Sequence, residues 1–296
     1  MIVIHTRSTS ILSKEFWKWV ARKVTKKYSG PNAVEDSLLR GLKKLGVSYT
    51  RNAEPNTDDT LVVLSGVQAL SKAITLKQRG IIKKLIAGPN IVASPTDGGG
   101  IMLNKEIDIV LVPAEWVLHL WKHEAPELES KLRIWASGVP IYEASNRSGK
   151  PIIYDKLNNS NLLNEVKKAT SNGIVFTYGL YKQADYLEAL KTAPYLIYLA
   201  ESESQGLALQ EAWAHDVPTF VNKSTTWQSG GRRWESNQIN CPYLTEEQGA
   251  VFNNVDELVN MIENSRLIHP KRYCDNNLSD VISTKNLLDL VYEKND

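Results

Sequence analysis

The chain has 296 residues, of which 42% are hydrophobic and 23% are charged, and its formal net charge is +2. These values are ordinary for a globular protein with a sizeable core, and they exclude disordered and collagen-like chains. The length indicates two domains, and no apolar run approaches the ~20 residues that a membrane-spanning helix needs.

Short β-prone apolar runs recur along the whole chain, separated by helix-length segments. The runs are IVIH (2–5), VSYT (47–50), LVVL (61–64), KLIA (84–87), IDIVLV (107–112), LRIW (132–135), PIIY (151–154), GIVFT (173–177), YLIYL (195–199), VPTFV (217–221) and AVF (250–252). Continuous apolarity is typical of strands in a parallel sheet that is covered on both faces. Alternation with helical segments predicts a doubly wound α/β fold. Eleven strands are too many for one ordinary sheet, so we expect two.

A stretch rich in Gly, Pro, Ser and Asn at 137–151 marks the expected domain boundary. We assign residues 1–145 to a first Rossmann-like domain and residues 146–275 to a second. Residues 276–296 contain a helical pattern without a following strand, and this helix could cross back to the first domain.

The most informative segment is YLIYLAESESQGLALQEAWAHDVPTFV (195–221). It predicts a strand, a polar loop, a helix from about Gly206 and another strand. Such a helix begins at the carboxyl edge of the sheet, where open α/β sheets bind ligands. The backbone N–H groups around its first turn, at Ser204, Gln205, Gly206 and Leu207, can bind a diphosphate. Gly206 lets the ligand approach closely because it has no Cβ.

Two carboxylates flank this anion site, Glu203 in the loop and Glu211 about one turn into the helix. The helix is otherwise rich in Ala, Leu and Trp, so an acid there is expected to face something polar. Each carboxylate can accept two hydroxyl donors, which suits the vicinal hydroxyls of a hexose or a ribose. The alternative is an ordinary αβ unit with two acids that face solvent.

The segment ESQGLALQEAWAHDVPTFV (203–221) resembles the donor-binding signature of retaining GT-B glycosyltransferases of the family-4 group, E-G-F-G-L-x-x-x-E-A-x-A-x-G-x-P-V. The matching residues are Glu203, Gly206, Leu207, Glu211, Ala212, Ala214 and Pro218. The departures are Ser204 for Gly, Gln205 for Phe and Asp216 for Gly, and they bear on the identity of the donor. The resemblance is strong over about 173–222 and weaker at 29–49 and 112–140. In the first of these weaker stretches, Gly30 belongs to a Gly-Gly-Pro opening in which Ser29 replaces the first Gly.

The resemblance implies a GT-B architecture, with two Rossmann-like doubly wound domains facing a cleft. Glu203 would hold donor-sugar hydroxyls, the backbone amides of 205–207 would hold sugar and phosphate, and Glu211 would hold the ribose. The implied activity is transfer of a hexosyl group from a UDP- or GDP-sugar to a hydroxyl of a glycan, lipid-linked or protein acceptor in carbohydrate biosynthesis. Retention, independence of metal and the absence of any cofactor beyond the nucleotide-sugar are implied too, and nucleic acid is not expected as a partner.

Further donor-side candidates follow other strands of the second half. Lys156 follows PIIYD, and the resemblance implies that this strand edge supplies a basic group to the diphosphate; Lys156 could equally be a solvent-facing loop lysine. Arg232 and Arg233 could serve instead. Tyr178 and Tyr181 could stack on the base, or they could belong to the core.

In the first half, the Gly-rich loops GPN (88–90) and SPTDGGG (94–100) could admit a sugar or phosphate, with Asn90 and Asp97 as polar contacts. They could also be loops only. The halves differ in charge: residues 1–150 hold 22 Lys and Arg against 14 Asp and Glu, a net charge of +8, whereas residues 151–296 hold 13 against 19, a net charge of −6.

The basic half could attract a phosphorylated acceptor or an anionic membrane surface. The alternative is that surface charge differs between the domains without functional meaning. Its segment 14–28 has Lys14, Lys18, Arg22 and Lys26 on one stripe. Such a segment is either an interfacial helix in peripheral membrane contact or a sheet-covering helix with a solvated basic face.

No metal site is predicted, because neither the five His residues nor Cys241 and Cys274 have ligand spacing. The first ten residues do not have the pattern of a signal peptide, so we expect a cytoplasmic location. Two alternatives to a transferase remain open: a nucleotide-sugar epimerase on the same fold, and a non-catalytic nucleotide-sugar-binding module.

Overall fold

The computed structural model describes residues 1–7, 30–57, 59–170 and 173–293. Its contacts divide the chain into two compact units. Unit 1 comprises Met1–Gly138 and Asp280–Asp296, and unit 2 comprises Val139–Ser279. The chain therefore passes between the units a few residues before position 145 and a few residues after position 275, and its last helix belongs to unit 1.

Thirteen strands are present in the described residues, and they form two parallel sheets and one hairpin. Those of unit 1 are β1 (Ile2–His5), β2 (Tyr49–Arg51), β3 (Asp59–Ser65), β4 (Ile82–Asn90), β5 (Ile109–Val112) and β6 (Leu132–Ile134). Those of unit 2 are β7 (Ile152–Asp155), β8 (Ile174–Thr177), β9 (Leu196–Leu199), β10 (Thr219–Asn222), β11 (Thr226–Ser229), β12 (Arg232–Glu235) and β13 (Gly249–Phe252). The predicted α/β class and the expectation of two sheets are confirmed.

The longer helices lie between the strands, except the last three, which follow β13. They are α1 (Gly30–Leu45), α2 (Val67–Gln78), α3 (Glu115–Glu124), α4 (Ser160–Ala169), α5 (Gln183–Leu190), α6 (Leu207–Ala214), α7 (Val255–Glu263), α8 (Lys271–Asn277) and α9 (Asp280–Tyr292). Within the described part of the chain, none of the helices has the length and apolarity needed to cross a bilayer. The basic stripe at Lys14, Lys18, Arg22 and Lys26 lies outside the described residues.

The sheet of unit 1 has the strand order β2-β1-β3-β4-β5-β6, and every pair in it is parallel. All four residues of β1 and of β5 are buried. Such complete burial explains why these strands read as continuous apolar runs, since helices cover both faces of the sheet.

The sheet of unit 2 has the order β13-β10-β9-β7-β8 and is also entirely parallel. From β7 the chain passes through α4 to β8 on one side, whereas from β9 it passes through α6 to β10 on the other side. The neighbours β7 and β9 therefore form the topological switch point of this sheet. Open α/β sheets bind ligands outside the carboxyl ends of the strands at such a point.

The hairpin of β11 and β12 is not among the predicted strands. Its turn consists of Gly230 and Gly231, whose φ angles are 56° and 78°, values that favour glycine. Trp227 lies directly opposite Trp234 across the two antiparallel strands. A Gly-Gly pair between β-prone residues is a hairpin signal, so the sequence did contain the information.

Helix α9 packs closely on α1 in unit 1. Arg40 forms two hydrogen bonds with the carboxylate of Asp280, at 2.7 and 3.0 Å, and Asp280 is 1% exposed. The backbones approach most closely at Gly41, where an added Cβ would lie 1.9 Å from Thr284 Oγ1 and 2.4 Å from Asp280 O. Helix α9 is therefore fixed to helix α1 of the same unit.

We expect Gly41→Ala to lower the free energy of unfolding by about 1–3 kcal/mol, because the added methyl forces α9 away from α1. Gly30→Ala is the matched control in the same helix, since no atom of the described residues lies within 4 Å of its Cβ position. Urea unfolding of both variants measures the difference. If the two variants unfold at the same urea concentration, α1 and α9 are not packed as closely at Gly41 as described.

Candidate functional site

Two charged side chains meet at the switch point of unit 2. Lys156 directly follows β7, and Glu203 lies in the loop after the adjacent strand β9. Lys156 Nζ donates to Glu203 Oε1 at 2.7 Å. The side chains are 28% and 12% exposed, so the pair sits at the surface of the sheet edge without being fully solvated. Strand order thus brings together two predicted site residues that are distant in sequence.

The Glu203 carboxylate has a second donor from inside the sheet. The hydroxyl of Tyr198, on β9, donates to the same Oε1 atom. Burial, reinforced by the negative charge of Glu203, raises the pKa of Tyr198 well above its usual value. The phenol therefore stays protonated as a donor at any physiological pH.

Other tyrosines lie near Glu203 and Tyr198. The two that the sequence analysis singled out, Tyr178 and Tyr181, differ in their surroundings. The Tyr154 ring stacks on Tyr198 with a centroid distance of 4.9 Å, and its hydroxyl lies 2.9 Å from that of Tyr181. Burial raises the pKa of Tyr181 to about 12, consistent with its place in this cluster. Tyr178 is instead 59% exposed, and Lys156 Nζ lies 4.9 Å from its ring centroid.

The first turn of α6 lies next to Glu203 in the chain. Gly206 precedes the helix with φ 65° and ψ 42°, a left-handed conformation that residues with a Cβ rarely adopt. A Cβ there would also lie 3.2 Å from Leu209 Cδ1. Ser204 is exposed, Gln205 is buried and Leu207 is half-buried. Since N–H groups in a first turn lack intrahelical acceptors, this turn can bind an anion.

Glu211 lies one turn further along α6 and is half-buried. Gln183, the first residue of α5, donates from Nε2 to Glu211 Oε1 at 2.6 Å. An amide that donates to this carboxylate fixes its orientation. The structure thus places both glutamates on polar partners rather than in open solvent.

Sequence analysis did not identify Tyr198 or Gln183. Tyr198 lies in the run YLIYL, where every residue reads as core. Gln183 opens a helix after the strand end that carries Tyr178 and Tyr181, so its position was a usable signal.

Asp216, the departure from Gly in the signature, lies at the C-terminal end of α6 with φ 61°. Its carboxylate accepts from Arg147 Nη2 at 3.1 Å, contacts His269 Nδ1 at 2.8 Å and accepts from the backbone N–H of Lys271 at 3.2 Å. Asp tolerates the left-handed conformation better than most residues with a Cβ. The departure therefore has a local structural explanation at the opposite end of the helix from Gly206.

The remaining candidates lie elsewhere. Arg232 and Arg233 belong to β12, and exposed Arg233 donates to Glu235 Oε1 at 2.7 Å. In unit 1, Asn90 ends β4, and its Nδ2 is buried without a hydrogen-bond partner in the part of the chain that the structure describes. Asp97 Oδ2 accepts from the backbone N–H of Ser94 at 3.1 Å. Gly30 is the exposed first residue of α1.

No group of three or more metal-ligating side chains is found among the described residues. Cys241 and Cys274 are both buried. The absence of a metal requirement stays a prediction.

Comparison with known proteins gives structural matches only: no known family profile matches the sequence, and no curated protein is significantly similar to it. The apo form of the lipopolysaccharide outer core galactosyltransferase WaaB superposes with a TM-score of 0.55, at 10% identity, over 99% of each chain. Anabaena HepE, solved with UDP and glucose, gives a TM-score of 0.58 at 9% identity over 98% of this chain and 99% of HepE.

A third match is a variant of S. aureus TarM, solved with fondaparinux, α-GlcNAc-glycerol and UDP. It gives a TM-score of 0.55 at 13% identity and covers 88% of this chain, but only 58% of TarM is matched. At such identities the likeness establishes the fold and not the activity. The chain therefore has the GT-B fold of these glycosyltransferases.

Proposed function

We propose that this chain is a glycosyltransferase that moves a hexosyl group from a nucleoside-diphosphate sugar to an acceptor hydroxyl. The observation that carries the proposal is the Lys156–Glu203 pair at the switch point of unit 2, beside the first turn of α6. The cation and the helix N-terminus suit the diphosphate of such a donor. The two carboxylates suit the hydroxyls of its sugar and its ribose. The UDP bound to HepE and TarM favours a UDP-sugar over a GDP-sugar.

In the proposed complex the diphosphate lies against the N–H groups at the start of α6, where the helix dipole favours negative charge. Lys156 turns from Glu203 to the diphosphate and stabilises the charge that develops as it leaves. Glu203, still held by Tyr198, accepts from the sugar hydroxyls. Glu211, oriented by Gln183, accepts from the ribose hydroxyls.

The transfer itself is proposed to retain the anomeric configuration and to need no metal, as the signature resemblance implies. The bond between the anomeric carbon and the phosphate oxygen breaks, and the acceptor oxygen bonds to the anomeric carbon on the same face. The departing phosphate oxygen takes the proton of the acceptor hydroxyl. The protein contributes positioning and electrostatic stabilisation rather than a dedicated base.

The acceptor is proposed to be a hydroxyl of a glycan, a lipid-linked sugar or a protein, and to be bound by residues of unit 1. Asn90 offers a buried amide donor at the carboxyl end of β4, and Asp97 offers a carboxylate close in sequence. A phosphorylated or membrane-displayed acceptor would suit the positive charge of residues 1–150.

A donor screen tests the proposal directly. UDP-glucose, UDP-galactose, UDP-N-acetylglucosamine and GDP-mannose are each added to the full chain, and the unfolding temperature is followed. A ligand that binds only the native state raises that temperature, so at least one donor is expected to raise it both with and without EDTA. If none does, the proposed function is wrong; if EDTA abolishes the shift, the independence of metal is wrong.

Product analysis with the radiolabelled donor that binds then separates the activities. We expect the label to appear in a glycosylated acceptor. NMR of that product should show the same anomeric configuration as in the donor. Label in a different nucleotide-sugar would show an epimerase, and unchanged donor would show a binding module.

A further inference from the structure

The loop that carries Glu203 leaves the sheet in an unusual way. The pairing of β9 with β10 ends at Tyr198 and Val221, while β10 continues beside β13 as far as Asn222. The polar groups of Ala200 are then satisfied by side chains. Its N–H donates to Asn222 Oδ1 at 2.8 Å, and its carbonyl accepts from Asn240 Nδ2 at 3.0 Å.

Asn240 is the centre of this arrangement. Besides Ala200 O, its Nδ2 donates to the carbonyl of Asn222 at 2.6 Å, so one amide joins β10 to the loop after β9. Asn240 is 1% exposed and Asn222 is 8% exposed. Hydrogen bonds buried to this degree are not weakened by competing water, which makes them effective at fixing backbone geometry.

The same segment holds the backbone of Glu203 itself. The N–H of Glu203 donates to the carbonyl of Ile239, the residue before Asn240, at 2.8 Å. Ser224 Oγ, just after β10, donates to Glu201 O at 2.7 Å. Four hydrogen bonds therefore hold the backbone of residues 200–203, and two of them, at Ala200 O and at Glu203 N–H, depend on the position of residues 239–240.

We propose that Asn240 is a positioning residue for Glu203, a role that rests on the proposed function. Its amide holds the backbone at Ala200 and places the Ile239 carbonyl under the N–H of Glu203. The carboxylate is thereby fixed where it meets Lys156 and, in the complex, the hydroxyls of the donor sugar. Asp and Leu are similar in size to Asn but cannot donate to two carbonyl oxygens, so the amide is specifically required.

The test uses the full chain with Asn240→Leu, which is similar in size to asparagine but has no amide, and Asn240→Ala as a second variant in case leucine prevents folding. Calorimetric titration measures binding of UDP and of the UDP-sugar that the wild type binds best. Affinity for the UDP-sugar is expected to fall about tenfold, as for the loss of one hydrogen bond to a charged group. Affinity for UDP alone is expected to stay within about twofold, because α6 and Glu211 hold that part of the donor.

Asn277→Ala is the matched control. Asn277 is exposed on α8 of the same unit, and its Nδ2 donates to a backbone carbonyl, that of Tyr273. Its affinities for both ligands should equal those of the wild type. If the Asn240 variants lose UDP and UDP-sugar equally, or lose neither, Asn240 does not position Glu203 and the proposal is overturned.

Hydrogen exchange adds a readout that needs no ligand. In the Asn240 variants, the amides of Ala200 and Glu203 should exchange at least about tenfold faster, because their acceptors, Asn222 Oδ1 and Ile239 O, are displaced, while exchange in β7 stays unchanged. If the wild type binds none of the nucleotide-sugars, the proposed function fails, and exchange alone decides whether Asn240 fixes this loop. Unchanged exchange at the amides of Ala200 and Glu203 overturns the positioning role whatever the ligand results.

Discussion

Substitution of Lys156 by methionine is expected to lower kcat about 100-fold, the loss typical of removing one preorganised donor from a developing negative charge. Methionine keeps a flexible apolar stem but cannot stabilise the departing diphosphate. The fold should survive, because Lys156 lies at the sheet edge and is partly exposed. Steady-state kinetics with the labelled donor and acceptor measure the effect, and the unfolding temperature checks that the variant is folded.

Two further variants make this result specific to position 156. Lys156→Arg keeps the positive charge and should retain more activity than Lys156→Met. Lys191→Met removes an exposed lysine of the same unit, which pairs with Glu188 at 2.6 Å, and should behave as wild type. If Arg233→Met causes the loss and Lys156→Met does not, the hairpin supplies the phosphate charge and the role given to Lys156 is wrong.

The strands of both sheets were predictable because helices cover the sheets on both sides. Burial on two faces requires apolar residues at consecutive positions, and such runs are visible without any structural knowledge. The hairpin of β11 and β12 was harder to predict. It belongs to neither sheet, its residues are half-buried or exposed, and apolar content therefore gives no signal there.

The site was predictable residue by residue but not as an arrangement. Glu203 was identified from its loop position and the signature, and Lys156 from the strand before it and the same resemblance, yet their 2.7 Å contact depends on β9 lying beside β7. That order is set by long-range packing, which local patterns do not contain. Asn240 gave no signal at all, since a buried asparagine that replaces missing strand pairing has no motif.

Removal of the Glu211 carboxylate and removal of the Glu203 carboxylate are expected to change the affinities for UDP and UDP-sugar differently. Glu211→Ala should weaken binding of UDP and UDP-sugar by the same factor, roughly 10- to 100-fold, because the ribose contact is common to both ligands. Glu203→Ala should weaken only the UDP-sugar by a similar factor, since its contact is with the sugar. In this variant Lys156 has lost its carboxylate partner and can turn to the diphosphate, so affinity for UDP should not fall.

The comparison is made by calorimetric titration of both ligands against both variants, with Glu188→Ala as the control. Glu188 is an exposed acid on α5 whose side chain is 72% exposed, so its loss should change neither affinity. Equal weakening of both ligands by Glu203→Ala would place Glu203 on the nucleotide rather than the sugar. Unchanged UDP affinity in Glu211→Ala would remove the ribose assignment, and the Gln183–Glu211 hydrogen bond would then be a contact that supports only the start of α5. The factor by which each variant separates UDP from UDP-sugar thus assigns each carboxylate to one part of the donor, independently of turnover.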